Sequence, residues 1–126
     1  IRQAESLVQV TSVQNRLNPF FREALFDGVL EYCGRQGISF LAYSPTGGGR
    51  LTKKVTSHPI LSAIGSRIGA TPHAVCLGWV LAQGVTVIAI PSARLIEHVK
   101  DSALAADVVL VSDDRAAITA AAFDRS

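Results

Sequence analysis

Three short apolar runs constrain the fold more than any other feature of the chain. Residues 7–14 (LVQVTSVQ), 38–43 (ISFLAY) and 85–90 (VTVIAI) are rich in side chains that fit a pleated, packed surface. The first alternates, whereas the third is continuous, as in parallel sheets covered on both faces. Each run is separated from the next by a crossover of more than a dozen residues, and such crossovers join parallel rather than hairpin neighbours. Helical spacing fills the crossovers. The reading is therefore an α/β protein with about three parallel strands and flanking helices.

The punctuation between the runs agrees with this reading. Asn18 and Pro19 stop the first strand. From Arg22, the positions Leu25, Val29, Tyr32 and Cys33 recur at helical spacing as far as Gly34, and Gly37 closes the connection to the second strand. Residues 44–49 (SPTGGG) are expected to form an exposed loop, because Pro lacks a donor and three glycines carry too much backbone freedom for a helix or an interior strand. Two helices are predicted next. One follows Thr56 or Ser57 and carries Ile60, Ile64 and Ile68 to Gly69; the other is opened by Thr71 as N-cap with Pro72 at its first position and closed by Gly84. The second is apolar almost all round, which implies burial on several sides. After Pro91 ends the third strand, Ser92 is expected to cap a helix with Leu95, Ile96, Val99 and Ala103 inward. A last helix starts at Ser112, where Asp113 and Asp114 complement the first-turn dipole.

Composition narrows the function classes. With 126 residues, 48% hydrophobic and 17% charged, the chain suits a single domain over 1–126 and not a disordered one. Its formal charge of +2 comes without a run of like charges longer than two residues, so a nucleic-acid partner is not expected. No apolar stretch approaches the roughly 18 residues of a membrane helix, and IRQAES is no signal peptide, so a soluble, cytoplasmic protein is expected. Cys33 and Cys76 lie within apolar helical patterns and are read as reduced core residues. The chain opens at Ile1, and residues 2–7 read as the tail of a helix running into a strand, as though upstream sequence had been removed.

Ligands of parallel α/β folds meet the carboxyl ends of the strands, which directs attention to the segments after Gln14, Tyr43 and Ile90. The segments VQN, AYSPTGGG and IPSARLIEHVKDS, in this order and with GATPHAVCLGWVLAQG between the last two, resemble the aldo-keto reductase family. The resemblance covers nearly the whole chain. It corresponds to the carboxyl-terminal part of that family's (β/α)8 TIM barrel, from the helix before strand six through strand eight. A full barrel takes roughly 250 residues, so this chain is expected to form a partial barrel.

The resemblance implies an NADP(H)-dependent oxidoreductase that reduces small carbonyl substrates. The family's catalytic Tyr, Lys, Asp and His belong to its amino-terminal half, so no catalytic residue is assigned here, and the strand-five Ser-Asn pair is also missing. Cofactor positions carry over singly. Gln14 matches the residue that helps hold the nicotinamide carboxamide, and Tyr43 matches the aromatic that stacks on the ring. Ser44, Thr46 and Gly47 match the loop passing over the pyrophosphate, where small residues let backbone N–H groups approach anionic oxygens. Residues 91–102 match the segment that binds the adenosine 2'-phosphate, with Ser92, Ala93, Arg94, His98 and Ser102 as its contact positions. Ser92 and Ala93 depart from the Lys, or the Gly followed by Thr or Ser, that many members carry. Arg94 could restore the missing charge, since its fork suits a phosphate.

Simpler roles stand beside these. Tyr43 also suits plain packing under the loop, and the glycines a flexible turn. His73 and Cys76 read as core packing rather than metal ligands, so no metal is assigned. Arg50, Lys53 and Lys54 follow the glycines and could attract phosphate, but read better as a solvated charged loop; His98 also suits a solvated helix face, and Trp79 reads as core. A second function class is a non-catalytic half-barrel that pairs its open sheet edges with another copy or another protein, whereas in the first reading the expected partner is a missing amino-terminal half.

Overall fold

The computed structural model describes residues 1–126. A short helix α1 (Arg2–Glu5) leads to strand β1 (Ser12–Arg16), a 3-10 turn at Glu23–Leu25 and helix α2 (Val29–Gln36). Strand β2 (Ser39–Tyr43) follows, then three helices in series: α3 (Leu51–Ser57), α4 (Pro59–Ile68) and α5 (Pro72–Leu81). Strand β3 (Val87–Ile90), α6 (Ile96–Leu104), a 3-10 turn at Ala105–Asp107 and α7 (Ser112–Ala120) complete the chain. The sheet order is β1-β2-β3, and both pairings are parallel. Gln14 lies opposite Leu41, which lies opposite Ile88; Tyr43 lies opposite Arg16 and Ile90.

One face of this sheet is covered and the other is open. Phe40 and Ala42 are fully buried under the helices, while Ser39, Leu41 and Tyr43 alternate to the other face. On that face Ile88 and Ile90 are 47% and 42% exposed. The expectation that the third run is covered on both faces is thus corrected: its apolar character matches burial that this chain supplies on one side only.

Helix α5 packs against α3, α4, α6 and β3. Its residues Ala74 to Val80 are all buried, in line with the apolar circumference of its sequence. Its start is fixed locally. Thr71 Oγ1 accepts from the Ala74 N–H at 3.0 Å, and Pro72 occupies the first turn. The same hydroxyl lies 2.8 Å from the Asp101 carboxylate on α6. Thr71→Ala is expected to cost about 1 kcal/mol through the lost cap, read as a lower thermal midpoint; an unchanged midpoint would contradict this geometry.

The four largest departures from the sequence reading are these. Strand β1 begins at Ser12, because pairing starts where Ser12 meets Ser39; Leu7 and Val8 stand exposed before it. The helix predicted from Arg22 is split by Gly28, whose φ of +81° interrupts it. A helix at Leu51–Ser57 replaces the predicted charged loop around Lys53 and Lys54. Helix α6 starts at Ile96 rather than at Ser92, and Leu95, Ile96 and Val99 are exposed instead of inward. It buries none of its residues.

The segment after α7 turns back over α3 and the β1–α2 connection. Phe123 stacks on His58 with ring centroids 3.9 Å apart and meets the Phe20 ring edge-on at 5.1 Å. The Arg125 side chain donates to the Phe20 carbonyl, and Lys54 pairs with Asp124 at 2.7 Å. No helix is long and apolar enough to cross a membrane.

Candidate functional site

The carboxyl ends of the three strands lie side by side, and the site is built on the loops that leave them. After β1, Asn18 is fully buried and joins two of these loops: its amide donates to the Ser44 carbonyl at 2.8 Å, and its Oδ1 accepts from the Phe20 and Phe21 N–H groups at 2.9 and 3.0 Å. Ser44 takes a left-handed φ of +49°, rare for a residue with a Cβ. The Asn18 amide holds it there.

The loop that follows is more enclosed than its composition suggests. Pro45 is fully buried and accepts from the Cys76 thiol, while Ser44, Thr46, Gly47 and Gly48 are half-buried, which corrects the expectation of an exposed loop. Gly47, with φ +97°, sits so close to its neighbours that a Cβ would fall 2.8 Å from that of Leu51 and 3.2 Å from the Phe20 ring. Its N–H already donates to the Ser44 carbonyl at 2.8 Å, whereas the Thr46, Gly48 and Gly49 amides find no acceptor in the chain. Packing, rather than a free amide, explains the glycine at 47.

Beyond this loop a cleft of about 280 Å³ opens between α3 and the β3–α6 segment. Thr46, Ser92, His98 and Ser102 all line it, so four of the ten sequence-predicted positions meet in one cavity. Leu77 and Pro91 form its apolar part, and Thr52, Lys53, Thr56, His73 and Asp101 complete it. Thr52 and Thr56 are one helical turn apart and so share a face of α3. His73 is half-buried with Nε2 3.1 Å from the Thr52 carbonyl. That oxygen only accepts, so Nε2 carries the proton and Nδ1 is left open. The sequence suggests a solvated loop charge, or else a phosphate contact, for Lys53 and core packing for His73. The missed signal was the polar helix beginning at Leu51, which turns the spacing 52, 53 and 56 into one face.

The remaining predicted positions lie elsewhere. Gln14 and Tyr43 share the open face of the sheet, with Gln14 one pleat below Tyr43. Tyr43 is half-buried, and the Arg16 guanidinium lies 5.6 Å from its ring centroid. Ala93 and Arg94 are exposed and outside the cleft.

Charges around the cleft are unevenly satisfied. Of the three cations flanking the glycines, Arg50 donates to the Arg125 carbonyl and Lys54 binds Asp124. The Lys54 and Ser126 hydrogen bonds hold the Asp124 carboxyl well below the usual carboxylate range. Lys53 makes no ion pair. Burial pushes the Cys76 thiol up to about 12 and raises that of Cys33, so neither offers a reactive thiolate. Both are free and buried.

Comparison with known proteins assigns this arrangement to a family. The aldo/keto reductase family matches residues 1–122. An uncharacterized oxidoreductase of Schizosaccharomyces pombe is 33% identical over 113 residues, covering 90% of this chain and 35% of that protein. A thermostable aldo-keto reductase crystallised with the inhibitor epalrestat superposes with a TM-score of 0.80 at 28% identity, over 94% of this chain and 43% of its own. The aldo/keto reductase of Klebsiella pneumoniae, in complex with NADP and acetate, gives 0.77 at 29% identity, over 86% and 38%. The chain spans less than half the length of each of these relatives, and its three parallel strands with their helices form part of a (β/α)8 barrel. It belongs to the aldo/keto reductase family.

Proposed function

We propose that the chain is the cofactor-binding, carboxyl-terminal part of an NADP(H)-dependent carbonyl reductase, acting with an amino-terminal part that carries the catalytic acid. The observation that supports this best is the convergence of Thr46, Ser92, His98 and Ser102 on one cleft at the carboxyl ends of adjacent parallel strands. The residues fit a dinucleotide: hydroxyls, open loop amides and a free ammonium suit anionic oxygens, and the partly exposed Tyr43 ring suits a flat heterocycle. Bound NADPH would supply the hydride.

This chain's residues would position and exclude. Tyr43 would offer its ring face to the nicotinamide, and Gln14, on the same sheet face, would hold the carboxamide. The Thr46, Gly48 and Gly49 amides would donate to the pyrophosphate as the loop crosses it. Ile88 and Ile90, open on that face, would help keep water from the reacting centre. The proton delivered to the carbonyl oxygen would come from outside the chain, and the carbonyl substrate would lie over the same face.

The test is NADPH binding, followed by nucleotide fluorescence in the intact polypeptide, with turnover of a simple aldehyde measured alongside. Tyr43→Ala is expected to weaken NADPH at least tenfold, about 1.4 kcal/mol, a magnitude consistent with loss of one aromatic stacking contact. Unchanged affinity would overturn the stacking role. Residues 1–126 expressed alone should give no turnover, and an amino-terminal half added in trans should restore it; turnover by the isolated segment would refute the division of labour.

A further inference from the structure

We propose that Lys53, on α3, is the cation that meets the adenosine 2'-phosphate, and that the phosphate joins α3 to α6 across the cleft. The inference rests on the cofactor reading above and replaces the role that sequence offered to Arg94.

Three observations carry it. The first is place: Lys53 lines the cleft together with Ser92, His98 and Ser102, the positions of the 2'-phosphate segment, whereas Arg94 stands outside. The second is availability. Arg50 and Lys54, its neighbours on either side, are engaged by the carboxyl-terminal segment, and Lys53 alone of the three has neither an ion pair nor a side-chain hydrogen bond. An exposed lysine without an ion pair, at the wall of a cleft lined by hydroxyls, is suited to an incoming anion. The third is the donor set. Thr52 and Thr56 flank Lys53 on one side, Ser92 and Ser102 lie on the other, and each hydroxyl can donate to a phosphate oxygen. Asp101, the carboxylate in the wall, has both oxygens 2.8 Å from the Thr71 hydroxyl, which draws it toward the start of α5. The His73 imidazole, bound to the Thr52 carbonyl, fixes the α3 turn that carries Lys53.

The bridging consequence follows from the packing of α6. Residues 91–100 are all exposed and α6 buries none of its side chains; its main contacts run to α5 and the Ala105–Asp107 turn, with Asp101 bound to Thr71, rather than to α3. A phosphate held between Lys53 and the β3–α6 segment adds a tie to α3 across the cleft. Nucleotides carrying the 2'-phosphate would therefore order α6, and those lacking it would not.

The experiment measures calorimetric affinities of adenosine 2',5'-bisphosphate and of 5'-AMP for the intact polypeptide, as wild type, Lys53→Met, Lys53→Arg and Arg94→Ala. The expected result is a tenfold or greater loss for the bisphosphate in Lys53→Met. Lys53→Arg should stay within about threefold of wild type, Arg94→Ala within about twofold, and 5'-AMP affinity should not change in any variant. In wild type the bisphosphate should slow amide exchange across residues 96–104, and 5'-AMP should not. A loss seen in Arg94→Ala but not in Lys53→Met would overturn the assignment. Equal losses for both ligands in Lys53→Met would place the lysine at the 5'-phosphate and overturn it as well. A wild type that binds neither ligand nor NADPH would overturn the cofactor reading itself, whereas intact NADPH binding with an unaffected Lys53→Met would sink the lysine alone.

Discussion

Replacing Asn18 by alanine is expected to destabilise the protein by about 2–3 kcal/mol, because three hydrogen bonds of one buried side chain are lost and the Phe20 N–H is left unpaired, while the Phe21 N–H keeps the Asn18 carbonyl and the Ser44 carbonyl keeps the Gly47 N–H. The Phe20 N–H has no alternative acceptor within the turn, and water cannot reach a fully buried position without opening it. The measurement is a shift of the urea midpoint at constant slope. Loss of function should accompany it. With the Asn18 amide gone, the left-handed Ser44 is restrained mainly by the turn that Gly47 closes, so NADPH affinity should fall together with stability. Asn18→Asp separates the two halves of the amide. The acceptor stays, but a carboxylate oxygen then faces the Ser44 carbonyl, so the protonated form is favoured in the folded state and the folded pKa lies above the unfolded value of about 3.9. Stability of that variant should be greatest below this value and decline as pH rises through the folded pKa. A pH-independent Asn18→Asp, or an Asn18→Ala with the wild-type midpoint, would refute the linking role of this residue.

The second large effect is expected at Trp79. Its side chain is fully buried on α5, and its indole N–H donates to Thr119 Oγ1 on α7 at 3.1 Å. Truncation to alanine should cost about 3–5 kcal/mol, the range for removing a large core aromatic. Trp79→Phe keeps most of the apolar volume and loses the donor, and Thr119 retains its own bond to the Arg115 carbonyl at 2.7 Å. A cost of about 1–2 kcal/mol is therefore expected for phenylalanine. Equal costs for the two substitutions would show that the hydrogen bond, and not the volume, dominates.

How far the sequence reveals this molecule depends on whether a signal is local. Thr71 and Pro72 mark the start of α5 correctly because a cap and its amide are three residues apart. The continuous apolar character of residues 74–80 announces burial on all sides, and the structure supplies it. Helix α3 is invisible for the converse reason: LTKKVTS has only Leu51 and Val55 buried, and what holds it is distant in sequence, namely α5 with His73 on the Thr52 carbonyl and the carboxyl-terminal segment on Lys54. The start of β1 fails similarly, since residues 7–10 alternate like a strand but meet no partner strand. At the cleft, the order of segments along the chain points to Ser92, His98 and Ser102, which line it, but also to Ala93 and Arg94, which do not. Lys53 and His73 are not legible in that order, because their relevance exists only once α3 is a helix.

The position of α5 also decides how the molecule breathes. A helix whose every face is covered by a different neighbour cannot detach from one of them alone; freeing its amides requires α3, α4, α6 and β3 to separate together. Its innermost amides, at residues 76–80, should therefore exchange with solvent only through complete unfolding, whereas those of α6 open by fluctuations too small to disturb the sheet. The chain thus combines a cooperative centre with a freely fluctuating margin, and the cleft lies on the boundary between them.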